Sequence, residues 1–180
     1  MPHVRFTSKS KRLEGKTVKI KLRHVTADDA ELLVNLFALS RGFDLDALGW
    51  DPSTQQQFFA QQLDAQRRSY EMRYPTSTDA IVLSDAVAVG RILVDRSGDE
   101  IVLVDLCLLP GARGRSIGAQ LLADLQTEAA RIGRKINLQV ATGNPAQRLY
   151  ERLGFTLVAD QGMYQAMEWV PVRVAMEATR

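Results

Sequence analysis

The sequence predicts an α/β fold, with a mixed, mostly antiparallel central sheet, one parallel strand pair and flanking helices. Three observations carry that prediction. Short alternating or continuous apolar runs recur between residues 16 and 169, separated by turn residues. Several intervening stretches carry apolar residues at helical rather than strand spacing. The long apolar run at residues 101–109 is followed by a helix and then another strand, an order that closes as a right-handed parallel unit.

Residues 16–24 alternate, with Val18, Ile20 and Leu22 apolar and Lys19, Lys21 and Arg23 charged, the period of a half-buried strand. Thr26-Ala27-Asp28-Asp29 then resembles a capping box with Asp in place of Glu. Behind it Ala30, Leu33 and Phe37, with Leu32, Leu36 and Leu39, make a helical apolar face. Residues 42–52 read as a loop. A second helix is expected over about 53–70, with Phe59, Leu63, Gln66 and Tyr70 on one side. Residues 80–83 and 86–94 read as strands around a Ser84-Asp85 turn, and Ser97-Gly98-Asp99 turns the chain into the run at 101–109. A helix opens near Ser116, with Ile117, Leu121, Leu125 and Ala129 at helical spacing and Gly133 placed to end it. A strand at 136–140 comes next. Asn144 as N-cap and Pro145 at the first helical position open a short helix that Gly154 closes. Strands at 155–159 and 164–169 finish the domain.

At 180 residues, 46% hydrophobic and 24% charged, the chain fits one globular domain whose core needs no disulfide. The single cysteine, Cys107, excludes an intramolecular disulfide and a cysteine-built zinc site. His3 and His24 are the only histidines, a poor supply for a metal-dependent hydrolase or a Ser-His-Asp enzyme, and no metal is expected. No apolar run approaches the roughly 20 residues that span a bilayer. The first eleven residues lack the apolar stretch of a signal peptide. The expectation is a cytoplasmic protein with no membrane contact. Charge is unevenly spread: residues 1–24 hold eight Lys/Arg against Glu14 alone, and the remainder fifteen against twenty acids. Residues 1–15 are expected to be a flexible basic extension before a domain at 16–170, with 171–180 a tail. Nucleic acid is disfavoured as its partner, because aromatic residues are not interleaved with the charges.

The segment with the strongest chemical signal is Leu106-Cys107-Leu108-Leu109-Pro110-Gly111-Ala112-Arg113-Gly114-Arg115-Ser116-Ile117-Gly118. A strand that runs through a small-residue turn into a helix gathers backbone N–H groups at the positive end of a helix dipole. That arrangement favours an anion such as a phosphate or pyrophosphate. Gly114 and Gly118 allow close approach, and Arg113 and Arg115 add charge. The segment is neither a Walker loop, lacking Gly-Lys-Ser/Thr, nor a G-x-G-x-x-G dinucleotide fingerprint. Taken alone, it equally fits a strand–helix connection with small residues for packing.

Arg113-Gly114-Arg115-Ser116-Ile117-Gly118 resembles the acetyl-CoA signature of the GNAT superfamily of N-acetyltransferases, Arg/Gln-x-x-Gly-x-Gly/Ala. Asn144-Pro145-Ala146-Gln147-Arg148-Leu149-Tyr150-Glu151-Arg152-Leu153-Gly154-Phe155 resembles the second signature, one strand and one helix later. The element order from 16 to 169 is also similar to that of small bacterial enzymes of this superfamily, including the Leu48-Gly49-Trp50 segment. One residue departs: Ser116 stands where the family usually has glycine. The expectation is that serine keeps a helical N-terminal conformation and is tolerated.

The resemblance implies the acyl-CoA N-acyltransferase fold, in which the parallel strand pair splays and the pantetheine of acetyl-CoA pairs with backbone at Leu106, Cys107, Leu108 and Leu109. It implies pyrophosphate binding by residues 113–118 and cofactor contact by Asn144, which a helix N-cap role also explains. Cys107 is read as a small buried hydrophobe, because the family transfers acetyl directly to an amine. Aminolysis of a thioester needs a neutral amine, a stabilised oxyanion and a proton for the departing thiolate. Tyr150 holds the family position for that proton, and a phenol of ordinary pKa near 10 is protonated at neutral pH. Packing of the short helix is its alternative role. A backbone N–H at Leu108 is expected to meet the oxyanion. Asp105 is the candidate base, with cation binding or an arginine ion pair as alternatives; Glu100 lies farther back. The first two helices are expected to line the acceptor pocket, with Trp50, Gln62, Arg67 and Tyr70 as candidates. The implied partner is a small-molecule or peptide amine, and a homodimer is a habit of the superfamily. A non-catalytic acyl-CoA sensor or interaction module is the competing reading, one that has no need of the Tyr150 phenol.

Overall fold

The computed structural model describes residues 19–41 and 49–172. The expected basic extension, most of the loop at 42–52 and most of the tail at 171–180 lie outside the described residues. Strand β1 (Ile20–His24) leads through a 3-10 turn (Ala27–Asp29) into helix α1 (Ala30–Ser40), and helix α2 (Pro52–Arg73) follows. Strands β2 (Thr78–Ser84), β3 (Val87–Asp95) and β4 (Ile101–Leu108) come next, then a second 3-10 turn (Pro110–Ala112) and helix α3 (Ile117–Ile132). Strand β5 (Ile136–Ala141), helix α4 (Gln147–Arg152), β6 (Thr156–Asp160) and β7 (Tyr164–Trp169) complete the described chain. The strands hydrogen-bond in the order β1-β2-β3-β4-β5-β7-β6, a mixed sheet whose β4–β5 pair is parallel.

Local chemistry explains where these elements begin. Asp29 accepts from the Thr26 backbone N–H at 2.8 Å, closing the expected capping box. The same carboxylate takes both ends of the Arg23 guanidinium fork at 2.7 and 2.6 Å, tying β1 to the start of α1. Helix α2 starts at Pro52, slightly ahead of the expected position, because the Asp51 side chain accepts from Thr54 N–H and proline suits the first helical position. The β2–β3 turn falls on Asp85-Ala86, one residue later than expected. Both have positive φ, 49° and 73°, the two-residue turn whose twist matches a hairpin. Ser84 is then left inside the ladder, paired with Ile20 and Val87.

The described residues form two compact units. The first comprises those up to Val94 together with Val104–Gly118. Its core packs Leu33, Val34 and Phe37 of α1 on Phe59 and Leu63 of α2 and on Ile81 of β2. Strand β3 lies so close to β4 that a Cβ on Gly90 would stand 2.4 Å from the Cys107 carbonyl oxygen. Only glycine allows that approach.

The second unit comprises Asp95–Leu103 and the residues from Ala119 onward. Leu122, Leu125 and Ala129 of α3, Ile136 and Leu138 of β5 and Met167 of β7 are buried there. Parallel pairing of β4 with β5 covers three positions of this unit, Ile101–Leu103 against Ile136–Leu138. Arg96 forks onto Glu128 at 2.6 and 3.1 Å, fixing the start of the β3–β4 connection to α3.

Candidate active site

The cofactor-signature residues lie together at the end of β4. Leu109 N–H donates to the Val89 carbonyl at 2.9 Å, so the strand edge facing β3 is used to its last residue. The 3-10 turn then lifts Arg113, Gly114, Arg115 and Ser116 onto an exposed turn, while Ile117 and Gly118 are buried in the first turn of α3. The leading N–H groups of a helix have no intrahelical acceptor, so α3 presents donors and its dipole to this turn. Gly114 has φ 70° and no atom within 4 Å of a would-be Cβ, which leaves its backbone approachable. Arg113 is turned back: its Nε donates to the Leu108 carbonyl at 2.9 Å and braces the turn.

Ser116 differs from expectation. Its φ is 61°, and helix α3 starts only at Ile117. An L-residue on the positive-φ side brings Cβ against its own backbone, which glycine avoids. The residue type usual at this motif position thus has a steric reason visible in this chain.

Asp105, also on β4, lines a cleft between α1 and α2 together with Phe37, Ser40, Leu63, Gln66 and Arg91. Its base has room for about one water-sized group. The Asp105 side chain is 27% exposed. Burial raises its proton affinity above the ordinary carboxylate range, and Asp79 adds to that; Arg91, the Leu106 backbone N–H and Arg41 oppose it. Cys107 Sγ donates to the Leu36 carbonyl at 3.4 Å. Burial pushes its pKa up to about 11, with Asp105 reinforcing the shift, so it is a neutral thiol near pH 7.

Sequence reasoning missed Arg91, which lines this cleft, and its partner Asp79, which does not. Arg91 sits in the middle of β3, and Nε and Nη2 donate to the two oxygens of Asp79 at 2.8 and 2.7 Å. Its Nη1 stands 3.6 Å from Asp105 Oδ2. A detectable sign was present: an arginine inside the apolar run Val89-Gly90-Arg91-Ile92-Leu93-Val94 needs a buried acidic partner. Among the residues proposed for acceptor contact, Trp50 and Gln62 are exposed, and Arg67 and Tyr70 are half-buried. Trp50 stacks edge-on with Phe58 at 5.3 Å, and Tyr70 interacts electrostatically with Arg91. The α2 residues that line the Asp105 cleft are Leu63 and Gln66, and Gln62, exposed, is not among them.

The second signature lies in the second unit. Asn144 is exposed, and its Oδ1 accepts from Ala146 N–H at 2.9 Å while its carbonyl accepts from Gln147 N–H at 3.0 Å. Asn144 is therefore not the expected N-cap, nor Pro145 the first helical residue: the Asn144 side chain closes a local turn, and α4 starts at Gln147 with Ala146 as its cap. Tyr150 is 7% exposed and packs edge-to-face with Phe155, ring centroids 5.7 Å apart. Among the described residues no group of three His, Cys, Asp or Glu is placed to hold a metal ion. No described helix is long and apolar enough to cross a membrane.

A mixed seven-stranded sheet with one parallel pair, flanking helices and an anion-ready turn after β4 defines the acyl-CoA N-acyltransferase fold. The chain belongs to the acetyltransferase (GNAT) domain family, whose model matches residues 26–176. Among solved structures it is similar to a PaiA N-acetyltransferase from Thermoplasma acidophilum in complex with coenzyme A. The two share 18% identity and a TM-score of 0.63, over 84% of this chain and 99% of that one. An acetyltransferase from Thermus thermophilus is similar at 21% identity and TM-score 0.61, over 84% of this chain and 96% of that one. No curated protein matches the sequence.

Proposed function

We propose that this protein is an N-acetyltransferase that moves an acetyl group from acetyl-CoA directly to a primary amine of a small molecule or peptide. The observation that carries this reading is the Asp105 carboxylate, of raised proton affinity, lining an α1–α2 cleft on the strand that leads into the anion-ready turn. Family membership supports the cosubstrate, as does the coenzyme A bound in the Thermoplasma relative.

In this reading the β4 backbone at Leu106, Cys107, Leu108 and Leu109 holds the pantetheine, and Arg113, Gly114, Arg115, Ser116, Ile117 and Gly118 hold the pyrophosphate. The open turn at Gly114 and the donor-rich start of α3 suit such an anion. Asn144 supplies a further contact. The substrate ammonium gives one proton to Asp105, directly or through water, and its freed lone pair attacks the thioester carbonyl. The C–S bond breaks with its electron pair on sulfur, and the Tyr150 hydroxyl protonates that sulfur. The excess proton on the new amide nitrogen returns to the Tyr150 oxygen, and Asp105 releases its proton to water. The balance is one ammonium and one thioester giving one amide, one thiol and one proton.

The test is cofactor binding and thiol release across a panel of amines, for the wild type and Tyr150→Phe. Wild-type turnover with at least one amine is expected. Tyr150→Phe should lower kcat by about 10²-fold with KM little changed, the size of a lost general acid. A wild type that binds acetyl-CoA yet releases no thiol with any amine would establish the sensor reading instead. Absence of binding would defeat both.

A further inference from the structure

The three strands β2, β3 and β4 each place one charge beside the cleft: Asp79, Arg91 and Asp105. The Arg91 side chain is 5% exposed, so its charge is held out of water and must be answered by carboxylates. It divides them unequally. One whole edge of the guanidinium, Nε and Nη2, is bound to Asp79, which does not line the cleft. Asp105, which does, receives only Nη1 at 3.6 Å, beyond hydrogen-bond length. A pair built only to neutralise Asp105 would turn the fork toward it. Here the planar guanidinium cannot rotate toward Asp105 without breaking two charge-assisted hydrogen bonds.

We propose that Asp79 and Arg91 are positioning residues. Asp79 anchors the Arg91 guanidinium at a fixed standoff from Asp105, leaving the Asp105 carboxylate charged, oriented and open to the amine of the acceptor. The proposal rests on the reading of Asp105 as the base. The standoff solves a chemical conflict. A full fork on Asp105 would occupy both its oxygens and make it a poor proton acceptor, whereas without a cation nearby burial would act on its carboxyl unopposed and raise its proton affinity further.

Among the described residues, few charged and titratable groups surround Asp105. Arg91 faces it from β3 and Asp79 acts on it from β2; Arg41, past the end of α1, acts more weakly and stacks over Phe37 at 5.3 Å. From α2, Tyr70 acts on Arg91 and Gln66 reaches the cleft. On β4 and the turn after it, Cys107 feels Asp105 and Arg113 acts on Cys107. Removing Arg91 takes away an attraction for the carboxylate, so the midpoint of Asp105 should rise. Removing the charge of Asp79 takes away a repulsion and releases Arg91 to close on Asp105, so the midpoint should fall. The two substitutions therefore act in opposite directions.

The experiment follows the Asp105 carboxyl by ¹³C NMR titration of the full chain, its signal assigned by loss in Asp105→Asn. Beside it runs the acid limb of kcat/KM for an amine found in the screen. Arg91→Gln is expected to raise the midpoint by about one pH unit or more, Asp79→Asn to lower it, and the double variant to lie between them. The acid limb should move with each. Equal midpoints in all variants, or shifts of the same sign, would overturn the proposal. Should Arg91→Gln not fold, Asp79→Asn decides alone, a lowered midpoint supporting the proposal and an unchanged or raised one overturning it. The titration needs no turnover, so it stands apart from the base assignment, which fails by itself if Asp105→Asn keeps wild-type kcat.

Discussion

Two side chains in the first unit show how a single residue sets local geometry. Asp29 is 4% exposed, yet it carries a full charge because Arg23 and the Thr26 backbone and hydroxyl all donate to it, holding its carboxyl well below the usual range. Ser116 is the opposite case, a residue kept in a conformation it disfavours. A left-handed L-residue costs about 1–2 kcal/mol, and glycine regains most of that at some entropic cost. Ser116→Gly is therefore expected to raise the thermal midpoint by about 2 °C, read by calorimetry or circular dichroism. A lower midpoint would show that the serine hydroxyl makes a bond worth more than the strain.

Among the elements, the β2–β3 hairpin carries a comparable mismatch. Asp85 tolerates its φ of 49°, since Asp visits this region, and its carboxylate accepts from Lys19 N–H at 3.1 Å. Ala86 at 73° has no such compensation. Ala86→Gly makes the turn Asp-Gly, the pairing this hairpin type prefers, and should stabilise the fold by about 0.5–1 kcal/mol in urea unfolding. No change in the midpoint would mean that the tertiary contacts of β2 and β3 already absorb the strain. The hairpin also carries two residues of the cleft's surroundings. Gly90 and Arg91 follow within β3, the first letting β4 approach and the second anchored on β2.

At the scale of the whole molecule, the net charge of +2 conceals a basic N-terminal stretch and an acidic remainder. Deleting residues 1–15 is expected to leave the proposed amine acetylation unchanged between about 50 and about 200 mM salt, the range over which a nucleic-acid contact would lose affinity steeply. A salt-dependent loss would assign the stretch a partner of negative charge. Sequence periodicity was enough for element order and type, because the core helices and strands each bury a face with its own repeat: Leu33, Phe37, Phe59 and Leu63 in one unit, Leu122, Leu125 and Leu138 in the other. Boundaries moved by one residue where positive φ at Ala86 and Ser116 overrode the polar pattern. The β4 segment and the turn at residues 113–118 were legible as well, since a strand, a small-residue turn and a helix start are contiguous in the chain. The Asp79–Arg91–Asp105 arrangement was not. Each of its members lies on a different strand, and which oxygens the guanidinium fork takes depends on strand register and side-chain geometry, not on spacing along the chain. The sequence by itself determined the fold and the segment proposed to hold the cosubstrate, because local patterns encode both; only the tertiary structure decided which charges meet Asp105, because a buried ion is answered by whatever folding brings beside it.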